Sequence, residues 1–348
     1  MSETAEPQDE TTSSEASSDG GSRLTVILAL SANVAVTIAK AVAGVLTGSA
    51  AMLSEAAHSV ADCGTEVFLL TALSRSAKPA DRSHPFGYGK ERFFWSLLAA
   101  VSIFTAGAMF SLYQGIETLT GHIEQSQDPT VGYVVIAVAV CLEGVSLIQA
   151  IREVRSDQAK DKLTLLPYLR HSDDPTIKTV LYEDSAAITG LTLAFAGLWL
   201  TQLTGSHVYD GVASLLIGAL LVAVAYGLGR TNKDLLIGRQ ADTRLMAEIE
   251  QWLNGQPEVD VVVDMLTMLT GTDKVLLCAR LDVINTVSAS DLEEACMRMD
   301  VDLRGRFTEL DEVFLQPVPR HDRVLQDRVD ARYGHSDSAS PSRAAQDG

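Results

Sequence analysis

The sequence predicts a polytopic α-helical membrane protein with six transmembrane helices and a small cytoplasmic α+β domain of ferredoxin-like type. Two observations support this fold class. Six apolar segments follow one another, each close to the ~20 residues that a helix needs to cross the hydrocarbon core. Beyond about residue 233 these runs stop, and the pattern becomes that of a small soluble domain. The predicted organisation is a tail at 1–22, a membrane domain at 23–230, a dimerisation domain at 231–320 and a tail at 321–348.

The orientation of the six segments follows from the charges between them. They are 24–46, 51–73, 93–116, 133–151, 179–203 and 209–228. Lys and Arg occur in the connections after the second, fourth and sixth segments and in none of the other three. Because positive loops stay in the cytoplasm, both termini are predicted to be cytoplasmic. No targeting peptide is evident, which favours the plasma membrane.

The soluble part contains the elements of an α-β-β-α-β domain. An apolar stripe at Leu245, Ile249 and Leu253 predicts a helix, which Asp242 can cap. Two strands are predicted at 259–270 and 274–283. Ser290 and Glu293 form a capping box before a second helix that ends near residue 303, and a last strand is expected at 313–318.

Composition narrows the possible functions and predicts that both ends of the chain are disordered. The net charge of −18 argues against nucleic acid as a partner, since phosphate binding needs a basic surface. The four cysteines show no CxxC spacing, so neither a disulfide framework nor a cysteine zinc cluster is expected. Residues 1–22 are acidic, rich in Ser and Thr and free of Lys and Arg, and the 321–348 tail is polar.

Ionisable and amide side chains lie within the predicted spans, where they are costly and therefore indicate function. Asp62 follows His58 by four residues, so both lie on one face of the second helix, and Glu66 lies one turn further along that face. Lys40, near the outer end of the first span, is expected to extend its ammonium to the interface. The other polar residues of this set are Asn33, Glu143, Glu183 and Asp184.

The helical rise places these groups near the middle of the membrane, which allows one polar site drawn from several helices. Imidazole nitrogen with carboxylate oxygens is a ligand set that suits Zn²⁺ and its neighbours. Two carboxylates would also neutralise a divalent ion and reduce the cost of burying it. A structural role is the competing interpretation, in which His58 and Asp62 form a pair that ties helices together.

Two motifs resemble the cation diffusion facilitator family: TGSAAMLSEAAHSVAD at 47–62 and HPFGYGKE at 84–91. The resemblance implies a dimeric transporter that moves Zn²⁺ or related divalent ions out of the cytoplasm, usually against protons. The stretch around the Glu183–Asp184 pair looks like a branch of zinc transporters with a Glu-Asp pair in the fifth span.

The resemblance assigns His58, Asp62 and Asp184 as metal ligands and leaves the fourth ligand open. Many members have a His where this chain has Val180. Glu183 lies about 100° around the helix from Asp184, so a straight helix would direct it elsewhere. The remaining candidates are a water molecule, Asn33 and Glu66, and Glu143 is expected to orient a ligand or to bridge helices.

The family also has a second metal site in the loop after the second span, with the pattern Asp-x-x-His-x-x-x-His. Here the pattern gives Asp81, His84 and Tyr88, so one ligand is lost and only a weak site is expected.

The leading hypothesis is therefore a homodimeric Zn²⁺ exporter coupled to proton antiport, with the metal as substrate and no cofactor. The alternative within the same family is that this chain is a transporter of Mn²⁺, Fe²⁺, Co²⁺ or Cd²⁺. Two further hypotheses are a passive channel and a non-transporting membrane sensor or scaffold. An enzyme is not expected, since no Ser or Cys is paired with His58 by an evident motif.

Overall fold

The computed structural model describes residues 31, 33–121, 129–161, 175–272 and 274–333, with the side chains of 153–178 excepted. The chain divides into two compact units. The first comprises Met1–Arg75 and Glu91–Lys233, and the second comprises Ser76–Lys90 and Asp234–Gly348. The predicted 1–22 tail lies outside the described residues.

The first unit is helical. Its helices are α1 (Asn33–Thr47), α2 (Ala50–Ser76), α3 (Glu91–Thr120), α4 (Thr130–Asp161), α5 (Pro175–Thr204) and α6 (Val208–Ile237). In the described part of the chain, α3 to α6 are the four helices long and apolar enough to cross a membrane. The described part of α1 is a shorter apolar helix, and α2, although 27 residues long, carries several ionisable side chains. The membrane domain is thus supported, and four of its six predicted spans meet these criteria.

Small residues let the helices of this unit approach each other closely. Alanines form much of the buried core, and such residues allow close backbone approach in membrane helices. Gly107 of α3 is an example, because a Cβ atom there would lie 3.0 Å from Leu221 of α6 and 3.7 Å from Ala61 of α2. The same Cβ position lies 3.9 Å from the Cα atom of His58. Helix α3 therefore supports α2 at the predicted ligand.

Helix α3 contains a π-helical turn at Ile103–Ala108, beside this contact. Such turns often occur at functional sites, because they change the direction of the side chains that follow. The sequence pattern does not distinguish this turn from ordinary α-helix.

Asp210 of α6 fixes the beginning of α2. Its carboxylate accepts hydrogen bonds from Ser49 Oγ at 2.6 Å and from the Ala50 amide at 2.5 Å. The amide of Met52 in turn donates to Ser49 Oγ at 3.2 Å. These bonds satisfy amides that a helix leaves unpaired in its first turn. The rotation of α2, and hence the face that carries His58, is held in place from α6.

The second unit has the predicted α-β-β-α-β order. Its elements are α7 (Thr243–Asn254), β1 (Val259–Gly271), β2 (Lys274–Val283), α8 (Ala289–Arg306), β3 (Leu310–Pro317) and α9 (Arg323–Tyr333). The sheet order is β1-β2-β3, with β1 antiparallel and β3 parallel to β2. A ferredoxin-like fold has four strands, so the three described strands support α+β architecture without confirming that finer class.

Local capping agrees with the sequence at α7 and differs at α8. Asp242 caps α7 as predicted and accepts a hydrogen bond from the Arg244 amide at 2.7 Å. Helix α8 begins earlier than the predicted capping box, because Ser288 is its N-cap and accepts from the Asp291 amide at 3.2 Å.

Two domain boundaries also differ from the prediction. The loop 76–90, predicted as part of the membrane domain, belongs to the second unit. The prediction of disorder from residue 321 is wrong for Arg323–Tyr333, which forms α9. The helix is held to the domain by Arg332, whose Nη1 atom lies 3.0 Å from an Asp264 carboxylate oxygen. Residues 334–348 lie outside the described part.

Candidate metal site

His58 of α2 is buried, and its imidazole is not hydrogen-bonded. Its side chain is 1% exposed, and its Nδ1 atom lies 3.3 Å from an Asp62 carboxylate oxygen one turn along α2. Neither ring nitrogen has a hydrogen-bond partner among the described residues. Buried polar groups are nearly always paired, so an exception suggests a group that binds a water molecule or an ion.

Beside His58, a cavity of about 340 Å³ opens between α1, α2, α4 and α5. Its wall includes six of the residues that sequence analysis singled out, although His58 itself is not among the lining side chains. The lining residues from that set are Asn33, Asp62, Glu66, Glu143, Glu183 and Asp184. The structure thus gathers four predicted spans around one strongly acidic cavity.

Neighbouring polar side chains orient two of these carboxylates. Ser146 of α4 donates a hydrogen bond to Asp184 of α5 at 2.8 Å. Asn33 of α1 donates to Glu66 of α2. Asn33 therefore acts on the acidic face of α2 through Glu66, and Ser146, which the sequence did not indicate, fixes the rotamer of a predicted ligand.

Glu183 and Asp184 line the same cavity, although they are adjacent in the chain. The expectation that a straight helix directs Glu183 elsewhere is not met, because the cavity is wide enough for both side chains to reach it. Glu183 is 8% exposed, and its Oε1 atom has no hydrogen-bond partner among the described residues.

The carboxylates surround the cavity without yet converging on one point. Within the part of the chain that the structure describes, no three His, Cys, Asp or Glu side chains lie close enough together to hold a metal ion. Binding a metal at this site would therefore need rotation of side chains or a change in the spacing of the helices.

The structure corrects the prediction for Lys40 and adds an acidic residue that the sequence analysis overlooked. Lys40 was expected to reach the membrane interface, but it is 0% exposed. Its ammonium lies 3.5 Å from the carboxylate of Glu55, which is also completely buried. Glu55 could have been found by its place three residues before His58 in the second span, since an acid there is costly unless it has a partner.

In the 76–90 loop, Asp81 forms a turn with its neighbours. Its carboxylate accepts hydrogen bonds from the Tyr88 hydroxyl at 2.8 Å, the His84 amide at 2.7 Å and the Ser83 amide at 2.8 Å. These bonds, that of Tyr88 above all, lower the pKa of Asp81. Since His84 is half exposed and its ring packs at a tilt against that of Tyr88, with 4.2 Å between the ring centroids, the loop has the features of a structural turn.

Comparison with known proteins gives a consistent family. The model of the cation efflux transmembrane domain matches residues 26–237. The chain is 36% identical over 278 residues to the Proton-coupled zinc antiporter SLC30A9, mitochondrial, of Xenopus laevis, covering 80% of this chain and 49% of that protein. It is 35% identical to Metal tolerance protein C4 of Arabidopsis thaliana, covering 68% and 51% respectively. The chain thus spans about half the length of these two relatives.

A bacterial relative is matched over nearly all of its length. The Manganese efflux system protein MneP of Bacillus subtilis is 21% identical over 305 residues, which cover 86% of this chain and 96% of that protein.

Proposed function

Because the chain belongs to the cation diffusion facilitator family, we propose that it exports divalent metal ions from the cytoplasm in exchange for protons, with Zn²⁺ as the main substrate. The observation that supports this most directly is the buried, unbonded imidazole of His58, 3.3 Å from Asp62 beside an acidic cavity. The names of two relatives, a proton-coupled zinc antiporter and a metal tolerance protein, point the same way.

The proposed ligands are His58, Asp62 and Asp184, with Glu183 as the fourth. Zn²⁺ favours four ligands in a tetrahedron and accepts both nitrogen and carboxylate oxygen. Glu183 is preferred to Asn33 because it offers a carboxylate oxygen that has no hydrogen-bond partner among the described residues. It is preferred to Glu66 because the Glu66 carboxylate already accepts a hydrogen bond from Asn33. In this proposal Glu143 stays outside the ligand set.

The exchange with protons follows from the chemistry of these ligands. A metal ion binds deprotonated imidazole and carboxylate, so protons and the metal compete for the same groups. A cavity that takes the ion from one side and opens to the other would release it as protons bind. This competition is sufficient for antiport without a separate proton path.

The proposed assembly is a homodimer with six spans per chain, in which α1 and α2 complete the bundle with α3 to α6. The cytoplasmic α+β domain, of ferredoxin-like type, would supply the dimer contact. The charged loops favour both termini in the cytoplasm. The plasma membrane remains the proposed location, although the SLC30A9 relative is named as mitochondrial.

A second candidate substrate is Mn²⁺. The cavity is dominated by carboxylates, and harder ions prefer oxygen ligands. The name of the MneP relative agrees with Mn²⁺ as substrate. His58 nevertheless favours Zn²⁺, because imidazole suits that ion better.

Flux measurements in sealed proteoliposomes test the proposal. Zn²⁺ would be added outside, with a metal-sensing dye and a pH-sensing dye inside. We expect saturable Zn²⁺ uptake together with proton movement in the opposite direction. Non-saturating uptake without proton movement would instead indicate a channel, and no uptake would indicate a sensor or scaffold. Repeating the assay with Mn²⁺ ranks the two substrates.

A further inference from the structure

Lys40 of α1 is a fully buried cation held between two other helices. Its ammonium donates a hydrogen bond to Ser59 Oγ of α2 at 2.8 Å. It also lies 3.5 Å from Glu55 of α2 and 3.4 Å from Glu143 of α4. A charged side chain inside a membrane segment is costly, so its retention calls for a functional explanation.

This ammonium lies directly behind the wall of the acidic cavity. Ser59 and Glu143, two of its three contacts, line the cavity, whereas Lys40 does not. The lining contains five carboxylates and no Lys, Arg or His, as judged from the described part of the chain. Lys40 thus supplies positive charge beside a strongly negative cavity.

The distances indicate that Lys40 contacts the carboxylates of Glu55 and Glu143 only loosely. The bond to Ser59 has the length of a normal hydrogen bond, whereas charge-assisted bonds to carboxylates are usually about 2.7–2.9 Å long. At 3.4 Å and 3.5 Å, Glu143 and Glu55 balance the ammonium charge without a tight bidentate contact. The ammonium is therefore anchored by the hydroxyl and keeps an electrostatic effect on the cavity.

We infer that Lys40 is a fixed counter-cation that weakens divalent-ion binding in the acidic cavity and so permits the ion to leave. This inference rests on the proposed transport function. In the metal-free protein the ammonium offsets part of the carboxylate charge, and in the loaded protein it repels the divalent ion. Without it, the carboxylates would hold the ion more tightly and release it more slowly. Lys40 is a positioning residue that sets affinity through charge, without touching the metal.

Two kinds of substitution in the full-length protein test this inference: one removes the positive charge of Lys40, and the other removes the negative charge of its partner Glu55. Lys40→Met is expected to lower the Zn²⁺ dissociation constant at least about tenfold, as removal of a nearby like charge predicts. In proteoliposomes, the same variant should show a lower KM together with a lower kcat. Lys40→Arg, which keeps the charge, should stay close to wild type.

Glu55→Gln is the complementary variant. It removes a negative charge that balances the Lys40 ammonium, so the ammonium should repel Zn²⁺ more strongly and weaken its binding. The double variant Lys40→Met/Glu55→Gln restores the charge balance and should return the dissociation constant toward wild type. If Lys40 had a purely structural role, Zn²⁺ binding would instead be weaker in every one of these variants. An unchanged or raised dissociation constant in Lys40→Met would overturn the inference. If that variant does not fold, unchanged or tighter binding in Glu55→Gln would overturn it.

Asp62→Ala, titrated in parallel, separates this inference from the proposed function. Loss of Zn²⁺ binding in Asp62→Ala with no effect of Lys40→Met would refute only the role of Lys40. Unchanged binding in Asp62→Ala would refute the proposed site itself.

Discussion

At the scale of single residues, the proposed selectivity depends on His58. It is the nitrogen donor beside a cavity whose charged lining, in the described part of the chain, consists of carboxylates. Nitrogen favours Zn²⁺, and oxygen favours harder ions such as Mn²⁺. The nature of this one side chain should therefore determine the ratio of metals, while the acidic residues determine overall affinity.

His58→Asp tests this division. The change keeps the position on α2, replaces nitrogen with oxygen and adds a negative charge. We expect the Zn²⁺ to Mn²⁺ and Zn²⁺ to Cd²⁺ uptake ratios to fall by about tenfold, the effect expected when a ligand changes. Competition uptake at fixed pH measures both ratios. Unchanged ratios in an active variant would mean that His58 is a structural partner of Asp62.

The loop residues should matter much less for transport. Asp81→Ala and His84→Ala are expected to keep Zn²⁺ uptake within about threefold of wild type, as for most exposed substitutions. The pKa of Asp81 is lower in the folded protein than in the unfolded chain. Its hydrogen bonds therefore stabilise the fold at pH values above the usual aspartate pKa, and this stabilisation is lost as the pH falls through the lowered pKa. The turn is therefore intact near neutral pH. Inactivation as complete as in Asp62→Ala would instead make the loop part of the transport site.

The sequence identified the acidic residues of the cavity lining because ionisable side chains are conspicuous in apolar segments. The four-residue spacing of His58 and Asp62 was enough to place them on one face. The buried environment of Lys40 was not predictable, because its partner Glu143 is distant in the chain and only packing brings the two together. Glu183 was misjudged for a related reason, since helical geometry alone does not give the width of a cavity.

At the scale of elements, helix α2 carries the site, and Asp210 of α6 fixes its first turn. Asp210→Ala would leave the Ser49 hydroxyl and the Ala50 amide without this acceptor. We expect a loss of about 1–3 kcal/mol in unfolding free energy, the cost of an unsatisfied buried group. Thermal or denaturant unfolding in detergent measures the loss, with Glu117→Ala on the exposed face of α3 as the control. Equal stability of the two variants would refute this role of Asp210.

The elements also show where local sequence signals are sufficient. Helix α7 and the first two strands follow from periodicity and caps in the chain. The π-helical turn of α3 lies where Gly107 meets α2 and α6, and such tertiary contacts leave no periodic signal. Helix α9 was missed because its composition is polar, and its ion pair with Asp264 spans distant parts of the chain.

At the scale of the whole molecule, the 76–90 loop is covalently joined to α2 and α3 but belongs to the second unit. Its Gly89 lies against the end of the β1–β2 hairpin, where an added Cβ would meet the Thr270 carbonyl and lie 2.9 Å from Gly271 Cα. Lys90 also donates to Met268 Sδ of β1 at 3.5 Å. The loop thus packs within the second unit, while its two ends continue into α2 and α3.

Gly89→Ala is expected to loosen the packing of this loop on the β1–β2 hairpin, since the backbone there leaves no room for a methyl group. Overpacking of this kind costs about 1–3 kcal/mol. Faster trypsin cleavage of the loop would report the change. Gly305→Ala is the matched control, because its Cβ would meet no atom within 4 Å. Equal cleavage rates in the two variants would contradict the packing of the loop.

The central claim is that the cavity beside His58 and Asp62 carries the transported ion. The most direct test measures Zn²⁺ uptake and proton flux simultaneously in proteoliposomes containing Asp62→Ala, with Glu117→Ala as a control that also removes one carboxylate. We predict that Asp62→Ala remains folded but shows neither flux, whereas Glu117→Ala retains both. Normal Zn²⁺ uptake coupled to protons in Asp62→Ala would contradict the proposed site.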